Sequence, residues 1–156
     1  METDDATHRP RISEPKTAKE LDVQTDERNE PMPAKAPEEI PALLAAAMNA
    51  GDLDAFIELH ERNATTVVPT EGKLVTGKAK MRAALEPIFA AQPRIENEVV
   101  GRLEDDGLAL VHTRWALSGS DPDGHAVELA GRGTIVARRQ PDQSWLIVLE
   151  NPVSPE

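Results

Sequence analysis

The sequence lacks cysteine and tyrosine altogether, and it contains two tryptophan and two phenylalanine residues. Without cysteine there can be no disulfide, no thiolate ligand for a metal and no cysteine nucleophile. Without tyrosine the protein also lacks the phenol hydroxyl that many enzymes with small pockets use as a hydrogen-bond donor. These absences remove several common kinds of catalytic chemistry before any motif is considered.

The chain also has no long apolar run and no concentration of positive charge. No stretch approaches the ~18 apolar residues that a membrane-spanning helix needs, and residues 1–5 include three acidic side chains where a signal peptide is basic. The formal net charge is −11, and no basic stripe with interleaved aromatic residues is present. We therefore expect a cytoplasmic protein with neither a nucleic-acid nor a membrane partner.

Composition divides the chain into a tail and one domain. Residues 1–36 have few large apolar side chains and are rich in proline and mixed charges, so they cannot bury enough surface to offset the entropy of ordering. We predict a disordered tail over residues 1–36, a domain over residues 37–152 and a short C-terminal tail over residues 153–156. A hydrophobic content of 39% is sufficient for one core.

Two short helices are predicted at the start of the domain. Apolar residues recur at spacings of three and four over residues 40–48 and again over residues 53–60, where His60 falls on the apolar stripe. Gly51 and Asp52 lie between these runs, where a helix stop and a helix cap are needed. The pattern therefore predicts an antiparallel helix pair.

Two brief strands and a third helix follow. Residues 65–69 and residues 73–76 have strand-like composition on either side of a turn, and Gly77 precedes another apolar helical pattern. Pro87 lies late in that pattern, where it should kink or end the helix.

The second half of the domain is typical of four consecutive β-strands joined by tight polar turns. Such short connections predict antiparallel neighbours, and Gly131 and Gly133 in one long strand indicate a bend or bulge. Helices followed by an antiparallel meander predict an α+β architecture. The predicted strands cover residues 94–103, 108–118, 125–140 and 145–151.

These segments, in this order, resemble the nuclear transport factor two-like superfamily, in its SnoaL-like and ketosteroid-isomerase-like branch. The resemblance covers about residues 38–152. It is carried by residues 49–56 at the helix pair, residues 72–77 before the third helix, and residues 109–115, 131–139 and 144–152 in the strands.

The resemblance implies a cone-shaped fold in which three N-terminal helices pack on a curved, mainly antiparallel sheet. It also implies a homodimer formed through the sheet and an apolar pocket inside the cone. Relatives include isomerases, polyketide cyclases, epoxide hydrolases and dehydratases, as well as non-catalytic assembly modules such as a kinase association domain. The fold by itself therefore leaves function open.

Ketosteroid isomerase chemistry is not expected. That mechanism uses a carboxylate base with a tyrosine and a protonated aspartic acid. In similar isomerases the base lies just before a proline at the end of the first strand, and here that position is Val68, before Pro69. The chain has neither this base nor any tyrosine.

The strand over residues 108–118 supplies the candidate site. His112 and Arg114 are two residues apart and share one face, where they could bind an anion or, for His112, act as an acid or base. The alternative arrangement directs Val111, Thr113 and Trp115 into the pocket instead, and strand alternation cannot choose between them. The candidate catalytic residues are His112 and Glu150, and the candidate ligand-binding residues are Arg114, Trp115, Thr113 and Val68.

Two motif-like strings are rejected, and no metal or other cofactor is expected. Residues 72–78 match the spacing of a phosphate-binding loop, but Ala79 replaces the hydroxyl that would hold magnesium. Residues 121–125 resemble the start of a calcium loop, yet Arg132 occupies the position that needs a glutamate. The four histidines show no metal-ligand spacing.

The leading functional hypothesis is a homodimeric SnoaL-like protein that binds a small apolar or amphipathic organic molecule in the cone. Isomerase, cyclase or hydrolase activity would fit such a pocket. The alternative is a non-catalytic assembly or regulatory module, which the missing tyrosine and missing base favour.

Overall fold

A computed structural model describes residues 33–154 of the chain. The first element is a 3-10 turn, Pro37–Glu39. The helices are α1 (Ile40–Asn49), α2 (Leu53–Glu58) and α3 (Lys78–Ala90), and the strands are β1 (His60–Val68), β2 (Lys73–Thr76), β3 (Arg94–Asp105), β4 (Leu108–Ser120), β5 (Ala126–Arg139) and β6 (Trp145–Asn151).

The predicted caps separate α1 from α2. Gly51 follows α1 with a φ of 69°, a left-handed value that glycine adopts without steric cost. Asp52 then caps α2, because its Oδ1 accepts a hydrogen bond of 3.0 Å from the backbone N–H of Ala55. The helix pair is therefore confirmed, but α2 ends at Glu58, and His60 belongs to β1 and not to the helical stripe.

Of the two outcomes predicted for Pro87, a kink or the end of the helix, the end of the helix is wrong. Helix α3 continues to Ala90, three residues beyond the proline. A proline inside a helix removes one backbone hydrogen bond, but apolar side chains on the same helix, Met81, Leu85 and Phe89, are buried in the core. Burial of this face holds the last turn in place despite the lost bond.

The six strands form one curved mixed sheet in the order β2-β1-β6-β5-β4-β3. Strands β3 to β6 form the predicted antiparallel meander. The exception to antiparallel pairing is β1, which runs parallel to β6 and begins five residues earlier than expected. The helices pack on one face of this sheet, so the α+β cone predicted from the sequence is confirmed.

The helix-covered face of the sheet, called the inner face below, carries the core. Alternate residues of β4 and β5 on this face are almost inaccessible to solvent, for example Val111 at 0% and Ile135 at 3% exposure. Their sequence neighbours point to the opposite, outer face. Among residues 33–154, no helix is long and apolar enough to cross a membrane.

Described residues just outside the predicted domain bounds of 37–152 make backbone hydrogen bonds to the sheet. Most of the predicted tail over residues 1–36 lies outside the described residues, but Ala34 is fully buried and its carbonyl accepts a 2.9 Å hydrogen bond from the N–H of Trp145. At the other end, Ser154 donates its N–H to the carbonyl of Arg132 at 2.8 Å. Ala34 and Ser154 are therefore both attached to the sheet by backbone hydrogen bonds.

Candidate functional site on the inner face

A histidine and a carboxylate meet on the inner face, where β1 lies beside β6. His60 is fully buried, and its Nε2 lies 3.1 Å from Oε1 of Glu150, whose side chain is 12% exposed. The other ring nitrogen, Nδ1, lies 3.0 Å from the carbonyl oxygen of Phe56. The imidazole is therefore held at both nitrogens, and Glu150 is the member of the pair that reaches solvent.

The partners of His60 define where protons can be. A carbonyl oxygen only accepts, so Nδ1 must carry a hydrogen. At Nε2, a hydrogen shared with Glu150 completes the second hydrogen bond of the ring. A histidine and a carboxylate joined in this way can exchange a proton, as acid–base chemistry requires.

Strand register brings further polar side chains to the same face. Glu150 is the cross-strand neighbour of Thr66 on β1 and of Ile135 on β5. Thr66 is 5% exposed and Thr113, on β4, is 3% exposed. Val68 is also buried, two residues beyond Thr66. The surroundings of Glu150 are thus mainly apolar, with a few hydroxyl groups.

Trp115 lies across β5 because Gly131 leaves room for its indole ring. Gly133 leaves room in the same way for Thr113. A Cβ on Gly131 would lie 2.8 Å from Cζ2 of Trp115, and a Cβ on Gly133 would lie 2.8 Å from Oγ1 of Thr113. The indole N–H donates a 2.6 Å hydrogen bond to the carbonyl of Pro152. Trp115 is therefore fixed at the inner face, next to the segment that follows Glu150.

One acceptor on this face has no partner. Asn97, opposite Trp115 in the β3–β4 pairing, donates through Nδ2 to the carbonyl of Pro41 at 3.3 Å. Its Oδ1 is buried and, within the described residues, receives no hydrogen bond. Such an acceptor costs free energy unless a donor reaches it.

The outer face has a separate depression, called the outer groove below. It has a volume of about 250 Å³ and is lined mainly by side chains of the outer face and of the C-terminal segment. The residues that matter here are Val100, His112, Arg132, Thr134 and Ser154.

The turn between β4 and β5 brings together three groups that could contact a cation. Asp121, Asp123 and His125 each place a ligand atom within 4.8 Å of the others. The same groups stabilise the turn, since Oδ1 of Asp121 accepts the backbone N–H groups of Asp123 and His125 at 2.9 and 2.8 Å. The predicted hairpin turn is confirmed.

Residues 42–145 match the family of SnoaL-like domains, and this match covers well over half of the chain. The chain belongs to this family. No curated protein sequence matches the chain.

Solved structures similar to this SnoaL-like domain carry varied descriptions. An NTF-2 like protein of unknown function from Shewanella oneidensis MR-1 is 20% identical, with a TM-score of 0.62 over 74% of this chain and 94% of that one. A ketosteroid isomerase-like protein from Erwinia carotovora atroseptica is 16% identical, with a TM-score of 0.65 over 76% and 94%. A protein from Thiobacillus denitrificans described as a calcium/calmodulin-dependent protein kinase type II association domain is 22% identical, with a TM-score of 0.63 over 80% and 100%. At these identities the likeness shows the fold, and the nuclear transport factor two-like resemblance is confirmed.

The candidate site residues predicted from the sequence lie on both faces of the sheet. The alternative arrangement of β4 is the observed one, with Val111 and Thr113 buried on the inner face. His112 and Arg114 are exposed on the outer face, away from Glu150. Glu150, Trp115, Thr113 and Val68 share the inner face, so the structure does not bring the two candidate catalytic residues together.

His60 is the inner-face residue that the sequence analysis missed as a partner of Glu150. The spacing of Phe56, Ile57 and His60 continues the helical stripe, so the pattern predicts a helical position for the histidine. The helix instead ends at Glu58, two residues before His60, and the carbonyl of Leu59 accepts the N–H of Ile147 at 2.8 Å. That parallel contact with β6 has no local signal in the sequence.

Proposed function

We propose that the SnoaL-like domain binds a small, mainly apolar organic molecule at the inner face of its cone, where Glu150 transfers a proton and His60 positions it. The observation that carries this proposal is the hydrogen-bonded pair of His60 and Glu150, with Glu150 partly exposed on an otherwise apolar face. A buried ionisable pair is costly to maintain, and a histidine hydrogen-bonded to a carboxylate is a common acid–base arrangement.

The different roles of His60 and Glu150 follow from how far each side chain is exposed to solvent. His60 is fully buried and uses both nitrogens within the protein, so it cannot contact a ligand directly. Glu150 binds His60 through Oε1, and Oε2 has no protein partner among the described residues. Glu150 is therefore the proposed catalytic group, and His60 keeps its carboxyl oriented.

The proposed reaction class is proton transfer to or from a carbon or oxygen of the substrate, as in an isomerisation, cyclisation or hydrolysis. One similar structure is described as ketosteroid isomerase-like, but this chain has no tyrosine to stabilise an enolate oxygen. Its oxygen-binding donors would have to be hydroxyls such as those of Thr66 and Thr113. Trp115 and Val68 would line the apolar part of the site.

A thermal-shift screen of small cyclic ketones, esters and epoxides tests this proposal. At 100 times its dissociation constant a ligand stabilises the folded state by about 2.7 kcal/mol. For a chain of this size each kcal/mol raises the melting temperature by roughly 2–4 °C. We expect hits of that size that also quench tryptophan fluorescence in the wild type and not in Trp115→Phe.

Matched carboxylate variants separate site binding from general effects. Turnover of a hit should be lost in Glu150→Gln and kept in Glu86→Gln, which changes an exposed glutamate on α3. No stabilising compound in the panel, or equal turnover in both variants, would contradict the proposal.

A second candidate function, self-assembly, is favoured by a continuous apolar row across the outer face. Leu103, Leu110, Val136 and Leu149 are cross-strand neighbours on β3, β4, β5 and β6. Leu103 is 70% exposed and Leu149 is 47% exposed. A contiguous exposed apolar patch of this kind is typical of an interaction surface, and we propose that it joins two copies of the chain in a homodimer.

A further inference from the structure

We propose that the outer groove is a second binding site, specific for a small organic acid that carries a hydroxyl group beside its carboxylate. This site is separate from Glu150, because the groove lies on the opposite face of the sheet. It shares that face with the apolar row proposed for self-assembly, so it is proposed as a site of the monomer. His112 and Arg132 supply its polar wall, and Val100 supplies an apolar one.

Irregular pairing between β3 and β4 creates the space of the outer groove. The strand register shifts between Val99 and Gly101, which leaves Val100 as an extra residue in β3. Gly101 is the cross-strand neighbour of His112 and has no side chain to cover it. Bulges commonly redirect side chains next to binding sites, and here one opens the flank of an imidazole.

A chain of hydrogen bonds favours one tautomer of His112. All three contacts are satisfied together when the Ser154 hydroxyl donates to the carbonyl of Asn151 at 3.2 Å, the Thr134 hydroxyl donates to Ser154 Oγ at 2.7 Å, and Nδ1 of His112 donates to Thr134 Oγ1 at 3.3 Å. In this arrangement the neutral ring carries its hydrogen on Nδ1, which leaves Nε2 as an acceptor without a protein partner among the described residues.

Arg132 is a guanidinium without a carboxylate partner in the described part of the chain. It lies directly opposite Arg114 in the β4–β5 register, and like charges in that position destabilise a sheet. Glu98 lies 3.4 Å from Arg114 and so compensates that member of the pair. An uncompensated arginine beside a groove is unexpected in a chain of net charge −11.

Together these groups select a ligand with two features. Arg132 would bind a carboxylate through a forked pair of hydrogen bonds. Nε2 of His112, as an acceptor, would receive a hydrogen bond from a hydroxyl on the same ligand. An anion without that donor would leave the Nε2 lone pair without a hydrogen bond and should bind less well.

Mandelate and phenylacetate are matched probes, because they differ by one hydroxyl. Each is titrated into the full chain at neutral pH, and binding is followed by backbone amide shifts in proton–nitrogen NMR spectra. We expect saturable shifts at residues around the groove. Mandelate should bind about tenfold more tightly than phenylacetate, which corresponds to about 1.4 kcal/mol.

Two arginine variants test where the carboxylate of the ligand binds. Arg132→Gln should weaken mandelate binding by about tenfold, whereas Arg94→Gln, at the far end of the outer face, should leave it unchanged. Equal binding of the two acids, equal effects of the two variants or no saturable shift would overturn the proposal. Mandelate binding should also persist in Glu150→Gln, so that failure at the inner face and failure here are distinguishable.

The tautomer is tested without any ligand. Long-range proton–nitrogen NMR of the His112 ring should show the Nδ1–H form in the wild type, and Thr134→Val should reduce its population. A ring that is mainly Nε2–H in the wild type would contradict the hydrogen-bond chain and the ligand selectivity derived from it.

Discussion

His60 and Glu150 couple two distant parts of the chain, and their coupling can be measured without knowing a ligand. Replacing Glu150 by alanine leaves Nε2 of a fully buried imidazole without its partner. We expect Glu150→Ala to lower the free energy of unfolding by about 1–3 kcal/mol, measured by urea denaturation. Glu86→Ala, on the exposed surface of α3, should change it by less than about 0.5 kcal/mol.

A double-mutant cycle with His60→Phe then isolates the pair. The coupling free energy should be about 1 kcal/mol or more if the two side chains interact as described. Additive losses from the two single variants would show that the pair is not formed.

Close contact between Trp115 and β5 makes the glycine at position 131 necessary. We expect Gly131→Ala to destabilise the fold by about 1–3 kcal/mol, because its Cβ would lie 2.8 Å from the indole ring. Gly119→Ala is the control, since its Cβ would meet Pro93 at an ordinary 3.6 Å. Equal stability of the two variants would mean that Trp115 does not lie where the structure has it.

At the level of elements, the turn between β5 and β6 contains a carboxyl group with a shifted pKa. The Ser144 hydroxyl, at 2.6 Å, and the Ser144 backbone N–H, at 3.0 Å, both donate to Asp142 and lower the pKa of its carboxyl. The stabilisation from this ionised group is therefore complete above the pKa of Asp142 in the unfolded chain, and it is lost as pH falls through the lower folded value.

Ser144→Ala removes the larger of these two effects. We expect the pKa of Asp142 to rise toward its ordinary value in this variant, measured by carbon NMR of the carboxyl group during a pH titration. It should stay somewhat low because the backbone donor remains. An unchanged titration midpoint would contradict the assigned cause.

Deletions in the segment before α1 provide a second test at the level of elements. Deleting residues 1–32 should leave stability unchanged if the predicted tail is disordered. Deleting residues 1–36 also removes Ala34 and its hydrogen bond to Trp145, and we expect a loss of about 1–2 kcal/mol relative to the shorter deletion. Equal stabilities of the two truncated chains, measured by denaturation, would show that this bridge contributes nothing.

Local patterns predicted the elements that depend on neighbouring residues. The bounds of β6, the cap at Asp52 and the three hairpin turns follow from spacing and turn composition. The helix end predicted as one outcome at Pro87 is wrong, because burial of the apolar face of α3 outweighs one lost hydrogen bond. The start of β1 at His60 depends on pairing with a strand almost ninety residues later, and the face of β4 that turns inward depends on packing. Neither the start of β1 nor the inward face of β4 is indicated by the neighbouring residues in the sequence.

At the scale of the whole molecule, the exposed apolar row gives the homodimer proposal a direct test. Leu103→Lys should convert a dimer to a monomer in light scattering, because a charge would be buried at the contact. Leu74→Lys is a matched control, since Leu74 on β2 is 69% exposed and lies off the row. A monomeric wild type, or a Leu103→Lys protein that remains dimeric, would contradict this surface as the interface.

The central claim is that a ligand binds at Glu150 on the inner face. The most direct test is a crystal structure of the full chain with the best compound from the thermal-shift screen. We expect that compound between Trp115 and Thr66, with one of its oxygen atoms within hydrogen-bonding distance of Glu150 Oε2. An inner face closed by side chains, with the compound bound elsewhere or absent, would contradict the claim and leave assembly through the outer face as the better account.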